Sequence, residues 1–259
     1  GEGRVRGWSV KKMHRLIMLS STYQMSSRFS TDEHLARDPD NRFCWRMNRR
    51  RLEAEALWDA VHAAAGTLDL TMGGRPVVPP LADDEIAALR ERWHWPVSAD
   101  PREHTRRGMY ILVRRNFRFP MFEVFDAPVT SVSCPARDAT TVATQALWSL
   151  NNRSVFRQAQ EFAGRVVKVA ASDQAGDWVE RAWLLALARP PSPQEKQEAI
   201  DLLETLTRRA SEGASASQPS PAPPEDLPKD LAALPPERAA ALVKLCLAVF
   251  NLNEFAFVD

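Results

Sequence analysis

Cysteine is scarce in this sequence and never paired. Cys44, Cys134 and Cys246 stand alone in 259 residues. No Cys-x-x-Cys or Cys-x-x-Cys-His is formed, so the chain has no attachment motif for a c-type haem. An odd count permits one disulfide at most, and isolated thiols of this kind read as buried or half-buried small hydrophobes. The five histidines, His14, His34, His62, His94 and His104, are scattered, and no two stand at His-x-x-x-His spacing. No metal is therefore expected. Phosphate-cradling and dinucleotide-binding glycine patterns are missing as well; Met72-Gly-Gly-Arg-Pro reads as a turn. No apolar run approaches the roughly 18–20 residues that a membrane-spanning helix needs. The opening "GEGRVRGWSVKKMHRL" is basic and helical in pattern rather than a secretory leader.

An excess of charge is also lacking. The net charge is +1, which gives no electrostatic case for nucleic acid. "RMNRRR" and "RRNFRF" interleave aromatics with arginine but match no nucleic-acid module. Arginine outnumbers lysine 28 to 6 throughout, so local arginine clusters carry little weight. The two parts differ in sign: residues 1–120 carry +6 and residues 121–259 carry −5.

What is present is mostly helical periodicity. Ser9 is placed to cap a helix running to about Ser20, with Val10, Met13, Leu16 and Ile17 on one side. "DPDNR" at 38–42 reads as a turn; it lacks the ligands and the glycine of a calcium loop. A long helix is expected from about Phe43 to Ala65, stopped by Gly66. Its apolar stripe is Ala54, Leu57, Trp58, Val61 and Ala65, and Arg51, Glu55 and Asp59 form a polar stripe at i, i+4, i+8. Residues 72–135 read as a small β or extended element. Within it, 83–93 suggests a short helix and Met109–Val113 a strand, with Pro76–Val78 as its mate.

Past that point helices dominate. Thr140 and Thr141 sit where a helix containing Gln145–Leu150 begins, and read as its caps. Residues 154–171 form a helix with Val155, Ala159, Phe162, Val166 and Ala170 on one face. Asp177 with Glu180, and Ser192 with Glu195, have capping-box spacing. The Pro/Ala/Ser-rich stretch 211–236 reads as a mobile loop. A helix from about Glu237 to Phe250 is apolar nearly all round, which places it at the centre of a bundle. The expectation is a single mainly α, multi-helix domain over 1–259 with a small β or extended element.

Six blocks in order, "GWSVKKMHRLIMLSSTYQMSSR", "DPDNRFCWRMNRRRLEAEALWDAV", "MGGRPVVPP", "FEVFDAP…SCPARDATTVATQAL", "ALARPPSPQE" and "NLNEFAFVD", resemble the planctomycete-type domain of unknown function that ends large bacterial proteins bearing planctomycete cytochrome domains. Where that family writes Thr-Pro at a helix start, this chain has Val142-Ala143. The resemblance implies an exported, periplasmic or cell-surface setting. It also implies a parent protein whose other domains are the partners, with c-type haem carried upstream and none here. It supplies no catalytic residues.

The candidate polar cluster is His14, Arg51, Glu55, Asp59, Asp126, Cys134, Arg137 and Asp138. Two readings stand. One is a structural lattice in which Arg137 and Asp138 are tied to charged partners at 49–59, in a non-catalytic structural or docking module. The other is an enzyme or carbohydrate-binding site at the 125–145 loop and the 51–59 face, with paired carboxylates or a Cys134 thiolate doing the chemistry. Whether a polysaccharide or another envelope component is bound stays open.

Overall fold

The computed structural model describes residues 8–87, 95–115, 117–215 and 227–258. The chain is mainly α-helical with one small antiparallel sheet among the described residues. It divides into two compact units, residues 1–51 with 257–259 and residues 52–256.

In the smaller unit, α1 (Val10–Met18) begins where Ser9 accepts a hydrogen bond from the Lys12 backbone N–H. None of its residues is buried. Thr31 caps α2 (Asp32–Arg37) by accepting from the His34 N–H. The "DPDNR" turn forms as expected. The Asp38 carboxylate accepts from the N–H groups of Arg42 and Phe43 at 2.9 and 2.8 Å, which holds its carboxyl below the usual range. Asn41 and Cys44 take left-handed backbone, which ends any helical course here. The chain then runs extended, and β1 (Arg50–Arg51) pairs antiparallel with β2 (Phe257–Val258). The helix expected from Phe43 is therefore absent over its first eleven residues, and Arg51 lies on a strand rather than on a helical stripe.

The larger unit begins with α3 (Ala54–Ala65), closed by Gly66 in left-handed conformation. It continues through α4 (Asp83–Ala87), α5 (Pro120–Val124), α6 (Ala143–Asn151), α7 (Arg153–Val169), α8 (Ala175–Leu187), α9 (Pro193–Ser215), α10 (Lys229–Ala232), α11 (Pro236–Phe250) and α12 (Asn253–Ala256). The core forms around α11, which buries Leu242, Val243, Leu245, Cys246, Leu247, Val249 and Phe250. α7 and α9 flank it, and Phe162 stacks on Phe250 at 5.3 Å. α3 packs on the other side of α7. There the Arg165 guanidinium donates to the Ala63 and Ala64 carbonyls at 2.6 and 2.9 Å, satisfying acceptors that a helix C-terminus leaves open.

The stretch between α3 and α5 is extended, as expected, but irregular. Val77 does pair with the chain at Ile111: Val77 N–H donates to Tyr110 O and Leu112 N–H to Val77 O, both at 2.8 Å. The expected strand 109–113 shrinks to that one bridge because Gly108–Tyr110 coils into a 3-10 turn. Two indoles pin the segment, Trp58 to the Arg106 carbonyl (2.9 Å) and Trp95 to the Pro79 carbonyl (2.7 Å). The buried Arg106 guanidinium donates to the carbonyls of Thr71 and Gly73 and lies over the Tyr110 ring. Of the helix expected at 83–93, residues 88–93 lie outside the described residues.

Three local readings change. Thr140 and Thr141 do not cap α6; Val142 precedes that helix, and Gln145 reaches back to the Val142 N–H. Asp177 lies inside the first turn of α8 and accepts from the Ser172 hydroxyl, while Glu180 pairs with Lys196. The stretch 211–236 is not one loop. α9 extends to Ser215, α10 sits within 227–236, and Leu231 on it is fully buried. Pro228 lies so close to α7 that a Cβ on Gly164 would come within 2.5 Å of it. Residues 216–226 lie outside the described residues. An anchored Leu231 is what a Pro/Ala/Ser count overlooks.

Ser192 and Glu195 form the expected box, Glu195 N–H to Ser192 Oγ at 3.2 Å and Ser192 N–H to Glu195 Oε2 at 2.7 Å. Arg189 then clamps Glu195 and Glu254 together, at 2.7 and 2.6 Å. The Arg189 hydrogen bonds, aided by the Ser192 N–H, hold the Glu195 carboxyl at about 2. A carboxyl depressed below its ordinary 4.5 stabilises the fold above that pH and loses this contribution as pH falls toward 2. Because the partners are about one-third exposed, screening reduces the effect, and Arg189→Ala is expected to cost about 1–2 kcal/mol near neutrality. Denaturant unfolding should show that deficit closing as the pH is lowered through this window.

Candidate functional site

α3 supplies the centre of the predicted polar cluster. Glu55 lies in its first turn and Asp59 one turn later on the same side. Arg137 reaches Glu55 with a two-pronged contact, Nη1 to Oε2 at 2.6 Å and Nη2 to Oε1 at 3.1 Å, and Glu53 adds a third oxygen at 3.1 Å. Partial burial pushes the Glu55 carboxyl upward. The Arg137 hydrogen bonds, its own backbone N–H and the Arg137 charge outweigh that and hold it below its ordinary value. Arg137 is raised in turn, chiefly by the Glu55 hydrogen bond. The predicted tie between the loop and this helix is thus present for Arg137.

Asp59 is engaged separately. Its Oδ2 accepts from Arg107 Nε at 2.9 Å and its Oδ1 from Gly108 N–H at 2.6 Å. Gly108 passes so close to α3 that a Cβ would stand 2.8 Å from the Glu55 carbonyl oxygen. Only glycine permits this approach without displacing backbone. Glu55 and Asp59 therefore do not work as a facing pair of carboxylates; each is held by its own arginine.

The remaining residues scatter. Asp126, in left-handed backbone, accepts from the Thr140 N–H (2.8 Å) and the Thr140 hydroxyl, with the Gln145 amide nearby. Asp138 is exposed and has no hydrogen bond or ion pair among the described residues, so the expected charged partner for it is not found. Cys134 is exposed, not buried, and its thiol donates to the Ala136 carbonyl at 3.0 Å. Cys44 is exposed too, leaving Cys246 as the buried thiol. His14 and Arg51 belong to the smaller unit, the other six residues to the larger. The 128–141 loop is exposed along most of its length, so it is a surface strap.

One group escapes a reading of the sequence. His62 is buried on α3, its ring 4.0 Å from that of Trp58, and its Nδ1 lies 3.0 Å from the Trp58 carbonyl oxygen. A carbonyl only accepts, so Nδ1 carries the proton and Nε2 presents a lone pair. Burial lowers the His62 pKa to about 4, against small upward contributions from the Trp58 carbonyl and Asp59. With Trp58, Glu85, Phe119, Trp148 and Asn152 it lines a small cavity of about 20 Å³. That is room for one or two waters, not for a sugar ring. Glu85 there accepts from the Asn152 amide at 3.0 Å. The overlooked signal is Asp59-Ala-Val-His62, a carboxylate and an imidazole at i, i+3. No group of three or more His, Cys, Asp or Glu side chains suited to a metal occurs among the described residues.

Two measurements test this description. Arg137 and Glu55 are about one-third and one-quarter exposed, so Arg137→Ala should cost roughly 0.5–1.5 kcal/mol, less than a buried pair would. Asp138→Ala should leave thermal unfolding unchanged, and a large loss there would contradict the exposed placement. For His62, the unfolded chain takes up the proton near 6.5 and the folded chain only near 4. Stability should therefore fall by roughly 2–3 kcal/mol as pH drops across that interval. His62→Phe should remove that slope in denaturant titrations.

No helix among the described residues is long and apolar enough to cross a membrane. No curated protein and no solved structure matches the chain. A protein-family model does match, over residues 4–203. It covers α1, the α3 platform with its Arg137 tie, the His62 pocket and the Ser192–Glu195 box. On that match the chain belongs to the PSD1 family, proteins of unknown function (DUF1553).

Proposed function

We propose that this chain is a non-catalytic docking module of an exported, multidomain bacterial protein, attaching that protein to a partner surface through α1. The carrying observation is the state of α1. Val10, Met13, Leu16 and Ile17 make an apolar face on a well-capped helix, yet all four are 48–67% exposed. An amphipathic helix gains its stability mainly by burying such a face. One that is left uncovered is suited to a surface outside the chain. The polar groups on α3 favour the same reading. Glu55 and Asp59 are each closed by an arginine, and the pocket beside His62 is too small for a substrate of ordinary size.

The reading is tested on stability. A face reserved for a partner contributes little to the fold it sits on, so Met13→Ser with Ile17→Ser should change unfolding by no more than about 0.5 kcal/mol. Phe162→Ala, in the core, should cost about 3–5 kcal/mol in the same assay. A comparable loss in the α1 variant would mean that the face packs internally, and the docking role would fall.

A further inference from the structure

We infer that the surface α1 fits is an anionic lipid interface, on which the helix lies flat. This rests on the docking role just proposed and names its partner. Val10, Met13, Leu16 and Ile17 occupy about one-third of the helix circumference. Lys11 and Arg15 lie opposite them, with Met18 beside Lys11, and Lys12 flanks the face next to Leu16; the three basic side chains are all exposed and without an ion pair among the described residues. Trp8, one residue before the Ser9 cap, is wholly exposed. Leu19, Tyr23 and Phe29 extend the exposed apolar set beyond the helix. A helix of low net hydrophobicity with a one-sided apolar face, Lys/Arg on its polar side and a tryptophan at its edge is the pattern of a helix that rests in the headgroup region.

The sign of the charge favours lipid over a protein groove. A helix seated in a groove turns its outer face to water, where charges of both signs serve equally. A helix at an anionic interface has that outer face among phosphates, and only cations are tolerated. From Trp8 to Thr31 the sequence contains Lys11, Lys12, Arg15 and Arg28 and no acidic residue. Nor does the general arginine excess account for it, since two of the six lysines of the whole chain stand here side by side. Acyl chains would receive Val10, Met13, Leu16 and Ile17, while the basic side chains reach back to the headgroups.

Co-sedimentation with vesicles tests this directly. The intact chain should bind vesicles of phosphatidylcholine with about one-third phosphatidylglycerol, weakly or not at all bind pure phosphatidylcholine, and detach as salt is raised. Reversing Lys11, Lys12 and Arg15 to Glu should lower the partition coefficient by roughly 100-fold. Met13→Ser with Ile17→Ser should abolish binding, and a blue shift in emission should be lost in Trp8→Phe. Equal binding to neutral vesicles, or no effect of the charge reversal, overturns the proposal. If the intact chain binds no vesicles while the Met13/Ile17 variant folds normally, the lipid proposal is overturned but α1 remains as a docking face for a polypeptide. If that variant unfolds, both readings fall; the charge-reversal variant, altered only at exposed basic side chains, keeps the lipid test independent of folding.

Discussion

A helix apolar around most of its circumference, with only a narrow strip at Ala240 and Lys244 turned to water, sets the plan of the larger unit. α11 is apolar around nearly its whole circumference, and burial of that surface is the dominant favourable contribution available to the unit. α7 and α9 therefore turn their apolar stripes toward it, and α10 places Leu231 into the same interior. α3 then packs on α7, which fixes where Glu55, Asp59 and His62 point. The family match ends at residue 203, before α10 and α11. The matched stretch by itself would leave the inner faces of α7 and α9 without a neighbour, so the helices that complete the core come from outside it.

Polar contacts act differently, by giving irregular chain a single course. The segment between α3 and α5 has few ladder hydrogen bonds and is held by side chains reaching to main-chain atoms. Trp58, Trp95, Asp59 and Arg106 all act in this way. Arg106 is instructive because its principal acceptors are carbonyls of one turn rather than a carboxylate. A guanidinium offers five donors in a fixed plane, and a turn with converging carbonyls can use several of them at once.

Much of this is legible in residue order. Ser9, Gly66 and the Ser192–Glu195 pair act over three or four residues, and such short-range chemistry can be read directly from sequence. α11 is legible because a helix apolar on nearly all sides has one natural location. Where sequence and structure part, the cause is shared: a partner distant in the chain. Arg50 and Arg51 look helical until Phe257 and Val258 are placed beside them. Thr140 looks like a cap until Asp126, fourteen residues earlier, takes both its N–H and its hydroxyl. Arg137 can be matched to the right helix because that helix offers carboxylates, whereas Asp138 next to it simply faces solvent. His62 is easily passed over because its importance lies in what surrounds it. Its proton is placed by Trp58 and its environment by Phe119 and Trp148, neither of which its own neighbours in sequence reveal.

The three thiols also differ in what reaches them. Cys44 and Cys134 lie at the surface, while Cys246 is sealed inside the bundle, where burial pushes its thiol well above the ordinary range. Thiolate is the reactive form, and both its formation and its access require water. A reagent in solution therefore meets two thiols at once and the third only when α11 becomes uncovered. Cys246 is in effect a clock inside the molecule, recording how often the bundle opens without any label having to be introduced.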